Sequence, residues 1–404
     1  MPPIAPVDLT APEFKADPFP FYARLRREAP VHPTKLPDKR TAHLVTRYDD
    51  VVTVLKDDAR FVKDPQRALT PDQMTKQPWF PSFLQPLTRN MLDIDDPDHR
   101  RLRNLVHKAF TPRIIEDMRG RVQRIVDELL TAALIRGKMD LVRDFALPLP
   151  LTVIVQLLGV PPRDQGAFHR WSRAMMHATS TARMLTALPD LFLMMRYLRK
   201  LIRDKRERPQ SDLLTALVQA EQEGGKMSED ELIAMIVLLM LAGHETTVNL
   251  IASGTLALLQ NPTELERLRQ DPSLIDSAVE ELLRYTAPVE TATERYTSDD
   301  VQLAGVTLPR GSLVLAVLAS ANRDASQFED PDRLNLSRTP NRHVAFGQGI
   351  HFCLGAPLAR LEGQLAFPAL LRRLPRIRLA ASPQSLRWRP TLVVRGLESL
   401  PVTL

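Results

Sequence analysis

Cysteine is almost missing from this chain: 404 residues contain one, Cys353. That scarcity excludes an internal disulfide and any cysteine-ligated iron–sulfur cluster, so electrons for redox chemistry would have to come from another protein. The amino terminus has no signal-peptide core, since residues 1–17 are proline-rich and carry Asp8, Glu13, Lys15 and Asp17. The most apolar run, Leu232 to Gly243, is shorter than the about 20 residues a bilayer crossing needs. The expectation is a soluble, cytoplasmic protein without a membrane partner. No linker of biased composition separates two halves, so residues 1–404 read as a single domain able to bury a large core.

Hydrophobic content of 44% with 25% charged residues is ordinary for a soluble globular protein. The net charge of +6 and pI near 9.5 do not point to nucleic acid, because basic and acidic residues are interleaved along most of the chain.

The lone cysteine lies in Phe346-Gly347-Gln348-Gly349-Ile350-His351-Phe352-Cys353-Leu354-Gly355. Alone, an intracellular cysteine reads as a small buried hydrophobe. Its flanks argue otherwise. The glycines at 347, 349 and 355 let the backbone take positive φ and come close to a large planar ligand. Beyond the sulfur, residues 356–362 open an amphipathic helix with Pro357 in its first turn. The sulfur would then sit at a helix N-terminus, which favours thiolate over thiol. An iron porphyrin needs such a thiolate, a tight glycine turn and cations for its propionates, and His351 could supply one cation. A dinucleotide loop fails as an explanation, because Phe352 stands where a third glycine is required.

The pattern Phe-Gly-x-Gly-x-His-x-Cys-x-Gly resembles the haem-binding signature of the cytochrome P450 family, of the soluble bacterial type. The resemblance implies a mainly α fold with a smaller β-region, one triangular domain enclosing haem b. Cys353 would be the iron ligand, with Phe346, Gly347, His351 and Gly355 around the ring. The implied activity is a monooxygenase that hydroxylates or epoxidises an apolar small molecule of terpenoid, steroid, fatty acid or macrolide type, using dioxygen. The implied electron donors are a separate ferredoxin and ferredoxin reductase, and the implied state is a monomer. A peroxide-driven oxygenase and a non-catalytic haem sensor or binder are the other classes left open.

Before residue 96 the resemblance is weak, and residues 18–70 read as a partly β region. Residues 17–27 suggest a short helix, alternation at 42–46 a strand, and Asp49-Asp50 a cap for a helix through Leu55. Pro78, Trp79, Phe80, Pro81 and Phe83 make residues 71–87 either a lid or ordinary packing. Asp96-Pro97-Asp98 opens a helix whose first turns are crowded by His99, Arg100, Arg101, Arg103, His107 and Lys108. Cations there oppose the helix dipole, so negative groups should compensate. In the family a His-x-x-x-Arg pair at this place binds haem propionates, which would be His99 and Arg103. The outward cations would be a solvated face or a dock for an acidic redox protein. Helical spacing marks 114–136, 150–158 and 165–206, the last divided at Pro189. Its Met175, Met176, Met184, Met194 and Met195 would roof a substrate or fill gaps in a core.

Ser228-Glu229-Asp230-Glu231 is a capping box that opens the longest helix, 228–261. Apolar nearly all round, it should be buried and central. It then turns polar at Ala242-Gly243-His244-Glu245-Thr246-Thr247. A zinc-protease motif is broken here by Val248. By the resemblance, Ala242 and Gly243 make room for dioxygen while Glu245 and Thr246 relay protons at a water-bearing kink. The threonine could instead bond back to the helix and merely bend it. Leu238, Leu241, Ala242, Val289 and Thr291 are substrate-pocket candidates.

Glu281 and Arg284 repeat a spacing seen also at Glu116/Arg119, Glu264/Arg267 and Glu266/Arg269, which read as surface ion pairs. The family places its structural charge network at the first of these, with Arg333 as third member. Arg295, after the extended segment 288–294, is the remaining propionate candidate. Residues 301–317 read as a hairpin turning at Pro309-Arg310-Gly311, and 370–404 as short closing strands.

Overall fold

The computed structural model describes residues 4–74, 82–177, 181–222 and 227–404. Helices are α1 Pro12–Ala16, α2 Phe19–Glu28, α3 Tyr48–Lys56, α4 Pro71–Met74, α5 Asp98–Ala109, α6 Pro112–Asp117, α7 Arg119–Arg136 and α8 Pro148–Leu157. They continue as α9 Gln165–His177, α10 Thr181–Glu207, α11 Leu213–Gln222, α12 Glu229–Gln260, α13 Pro262–Gln270, α14 Ile275–Thr286, α15 Leu318–Ala321 and α16 Ala356–Arg373. Strands are β1 Val31–Lys35, β2 Thr41–Val45, β3 Phe61–Val62, β4 Met139–Asp140 and β5 Arg295–Thr297. β6 Val301–Leu303, β7 Val306–Leu308, β8 Leu313–Ala316, β9 Arg378–Leu379 and β10 Pro401–Thr403 complete them. The mainly helical composition with small sheets agrees with the expected class.

Contacts gather the chain into two compact units. Met1–Lys76, Val126–Pro148 and Thr246–Leu404 form the first, and Gln77–Ile125 with Leu149–Glu245 the second.

In the first unit a five-stranded sheet has the order β1-β2-β8-β5-β3. β2 and β8 run parallel from Ala42↔Leu313 to Val45↔Ala316, and the other neighbours are antiparallel. Because side chains alternate along a strand, the sheet is apolar on both faces. Val45, Val314 and Ala316 join Val51, Val54 and Leu55 of α3 on one side. Ala42, Leu44, Leu313 and Leu315 join Tyr22 and Leu25 of α2 on the other. A third cluster joins α12, α13, α14 and α16 through Leu250, Leu258, Leu268, Leu282, Phe367 and Leu371. Gly254 permits the α12 approach, since a Cβ there would lie 2.7 Å from the Phe367 ring.

Two local expectations are corrected here. The α3 cap is not Asp49 or Asp50, which lie in its first turn; the Asp324 carboxylate accepts the Tyr48 N–H at 2.9 Å from far along the chain. The hairpin of β6 and β7 turns at Ala304-Gly305, both with positive φ, whereas Pro309-Arg310-Gly311 leads into β8 of the large sheet. The closing strands form as expected, β10 lying between β4 and β9.

The second unit is helical. The capping box at the head of α12 is formed: Ser228 N–H donates to Glu231 at 2.7 Å, and the Ser228 hydroxyl accepts the Glu231 N–H at 3.2 Å. Phe168, Trp171 and Tyr197 cluster between α9 and α10. Met194 and Met195 are buried, as gap-filling requires. Pro189 does not divide the helix; it lies inside α10 at an exposed position, where the missing N–H faces outward. The stretch 114–136 is two helices, because the chain breaks at Met118. Pro78, Trp79, Phe80 and Pro81 of the lid-or-packing stretch, and the side chains of Met176 and Met184, lie outside the described residues.

Candidate haem-thiolate site

Cys353 is a half-buried thiol outside any disulfide, one turn ahead of α16. Its N–H donates to the Phe346 carbonyl at 2.9 Å, which closes the loop into a tight hairpin. Gly347 and Gly349 both have left-handed φ, 68° and 72°. For Gly349 there is a second requirement. A Cβ would fall 2.4 Å from the Leu55 carbonyl oxygen, so the loop rests directly on the end of α3. A Cβ on Gly355 would point at the sulfur, 3.9 Å away. His351 closes a short 3-10 turn before the sulfur, and Phe352 beside it is 40% exposed.

Arg295 is buried next to this loop. Its guanidinium donates to the Phe61 carbonyl at 3.1 Å and to the Leu55 carbonyl at 3.4 Å, the same oxygen on which Gly349 rests. A cation so placed suits an anionic group at the loop.

The buried charge network forms around Glu281 with one member changed. Arg284 makes two bonds of 2.8 Å to Glu281, and both side chains are fully buried. The third member is Arg338, whose Nε lies 3.1 Å from Glu281, and not Arg333. The Arg333 side chain is exposed on a turn, and only its carbonyl takes part, accepting from Arg284 and Arg338. Glu116/Arg119 and Glu266/Arg269 are surface pairs as expected. Glu264 is instead buried and also accepts the Leu336 N–H.

Along α12 burial relaxes between Leu238 and Thr246. Leu238, Leu239, Leu241, Gly243, Glu245 and Thr246 are partly exposed and Ala242 is exposed, whereas Ile233–Val237, Met240 and Val248–Ala252 are buried. Residues 238, 241, 242 and 245 share one face at helical spacing. On that face Leu238, Leu241 and Ala242 offer apolar surface of the kind that suits a planar ligand and an organic substrate. α12 is helical throughout this stretch, and the buried His244 ring bonds the Met240 carbonyl at 2.7 Å. In the first unit, Val289 bridges to Val394, and Thr291 is buried with its hydroxyl 3.4 Å from the Leu392 carbonyl.

In the second unit His99 and Arg103 lie one turn apart on α5. Burial, then the Arg103 charge, pushes the His99 imidazole below its ordinary pKa, with Asp96 pulling the other way. The negative groups that the basic helix start demands are present. Asp96 binds Arg100 at 2.5 Å, and Arg101 reaches both Asp98 and Glu231.

Sequence patterns missed two buried acids in the first unit. Glu290 binds Lys15 at 2.6 Å and accepts the Tyr22 hydroxyl at 2.5 Å. Glu362 of α16 is fully buried beside Thr247, and burial raises its pKa to about 8.

Among the described residues no group of three or more His, Cys, Asp or Glu side chains is placed to hold a metal. One thiolate is the protein ligand that an iron held by a porphyrin requires, and Cys353 can supply it. The glycine loop, the buried Arg295 and the half-exposed sulfur fit that group. A sulfur at a helix N-terminus, a tight glycine loop and a buried arginine beside it are the arrangement of a haem-thiolate site.

Comparison with known proteins agrees. Residues 177–377 match the family described as Cytochrome P450. The chain is 47% identical to polyketide biosynthesis cytochrome P450 PksS of Bacillus subtilis, over 97% of each chain. It is 45% identical to cytochrome P450 monooxygenase PikC of Streptomyces venezuelae, over 99% of this chain and 94% of that one. The solved structure of PksS matches with a TM-score of 0.91 and 45% identity, covering 98% of this chain and 99% of its own. Myxobacterial CYP267B1, in complex with myristic acid, matches at 0.90 with 44% identity and 98% of both chains. The chain belongs to the cytochrome P450 family. It is a P450 monooxygenase, and haem b is its cofactor.

Proposed function

We propose that the enzyme hydroxylates or epoxidises an apolar polyketide or long acyl chain, with electrons from a separate ferredoxin and its reductase. The observation that carries this reading is the 47% identity to PksS along nearly the whole of both chains. PksS is named for polyketide biosynthesis and CYP267B1 is solved with myristic acid, which puts these two classes first, while a 43% identical vitamin D(3) 25-hydroxylase makes a steroid-like substrate the second class.

Cys353 would hold the haem through its sulfur, with Phe346, Gly347, His351 and Gly355 lining the cofactor. His99, Arg103 and Arg295 would receive its propionates. When bound, haem supplies the activation of dioxygen that no side chain can provide. Ala242 would leave room for dioxygen, and Leu238, Leu241, Val289 and Thr291 would hold the substrate and exclude water. Glu245 passes protons and the Thr246 hydroxyl holds the last of them in place. This acid–hydroxyl pair favours dioxygen over peroxide as oxidant, since peroxide brings its own protons.

The cytoplasm is the proposed compartment, and the exposed cations Arg100 and Lys108 of α5 are the proposed dock for an acidic ferredoxin. Binding is tested by spin-state titration of the purified ferric enzyme with myristic acid and with a macrolactone, followed by turnover with surrogate ferredoxin and reductase. A spin shift and oxygenated product with either supports the reading. No shift with both, or faster turnover with peroxide alone, overturns it.

A further inference from the structure

α14 carries two adjacent acids that grip different parts of the chain. Glu281 serves the buried arginines described above. Glu280 accepts from Arg360 Nε at 2.7 Å and from Nη2 at 2.8 Å, and lies 3.1 Å from His343 Nε2. His343 precedes the cysteine loop and Arg360 follows it, one turn into α16. One carboxylate thus ties both flanks of the loop to α14.

The same groups pack on Phe346, the residue that closes the cysteine loop. The Arg360 guanidinium lies over the Phe346 ring, 4.6 Å from its centre, and the His343 ring tilts against Phe346 at 6.0 Å. The Phe346 carbonyl accepts the Cys353 N–H. Burial pushes the Glu280 carboxyl upward, but the bonds from Arg360 and His343 bring it down to about 2, so the grip persists at neutral pH.

We infer that Glu280 is a positioning residue for the Cys353 sulfur, acting through Arg360, which it fixes where the guanidinium charge stabilises the thiolate and favours electron uptake by the bound iron. The inference rests on Cys353 being the haem ligand. A tie between helices alone would be a lesser role, and the exposed Asp276–Gln364 bond at 2.8 Å already links α14 to α16 in that way.

The test is the reduction potential of the purified holoenzyme, read beside the ferrous carbonyl spectrum. Arg360→Gln should lower the one-electron equilibrium about tenfold, about 59 mV. Glu280→Asp keeps the charge but falls a methylene short of the guanidinium, and its potential should fall in the same direction. Combined with Arg360→Gln it should add nothing, because the two act as one unit. Asp276→Asn should leave the potential unchanged. An unchanged or raised potential in Glu280→Asp, or full additivity in the double variant, overturns the inference. So does loss of the Glu280→Asp holoenzyme with an unshifted Arg360→Gln. A parent enzyme without a thiolate-type carbonyl band would instead refute the haem-thiolate reading itself.

Discussion

Lys15 and Glu290 stand 275 positions apart and meet at 2.6 Å, with both side chains shut away from water. The Tyr22 hydroxyl occupies the other Glu290 oxygen. This fastens α1 and α2 to the segment that carries Val289 and Thr291. Removing one partner of such a pair strands a buried charge, which costs about 3–5 kcal/mol. Lys15→Met should therefore lower the denaturation midpoint markedly, and Lys15→Met with Glu290→Gln should recover part of the loss. Equal midpoints for the parent and the single variant would remove the anchor role.

Glu362 predicts a pH dependence. Burial raises its carboxyl pKa to about 8 from an ordinary value near 4.5, with the Thr247 hydroxyl pulling weakly against the shift. Between those values the folded protein keeps a proton that the unfolded chain has lost, so stability falls as pH rises through this window and levels off above it. Glu362→Gln stays neutral throughout. Its stability should decline less between pH 5 and pH 8, by on the order of a few kcal/mol, as read by urea unfolding across that range.

Two loop glycines should differ in their tolerance of alanine. At Gly347 the added methyl meets nothing closer than 3.9 Å, so the cost is that of left-handed φ, about 1–2 kcal/mol. At Gly349 the methyl would strike the Leu55 carbonyl and Lys56 Cα, both backbone. Gly349→Ala should lose haem and thermal stability well beyond Gly347→Ala, measured by haem content and melting.

Arg338→Ala should destabilise the fold by about 3–5 kcal/mol, because it leaves Glu281 under-compensated in the interior. Arg333→Ala should stay within about 0.5 kcal/mol, as exposed substitutions do. Paired urea titrations decide the order, and the reverse order would restore Arg333 to the network.

Thr246→Ala should continue to consume reductant while releasing peroxide in place of product. Coupling at the parent level would make Thr246 a structural residue of α12.

Much of the site was legible because its signals are local. The glycine–cysteine loop, the capping box of α12 and the Glu281–Arg284 turn each lie within a few consecutive residues, and local rules bind them to one conformation. Arg338 was not legible, because which of two nearby arginines folds inward depends on how residues 329–341 wrap around Glu281. The hairpin was misplaced because Pro309-Arg310-Gly311 is the stronger turn signal, while the actual turn uses Ala304 at positive φ. Lys15–Glu290 and Glu362 carry no pattern at all. Their acids look like any others until the tertiary fold removes the water.

Directed evolution of substrate choice would naturally randomise residues 288–292 as a block. In that extended segment Glu290 faces the interior anchor while the candidate pocket positions flank it, so a contiguous library would fill with unfolded clones. Sparing position 290 and varying 289 and 291 alone separates selectivity from foldability.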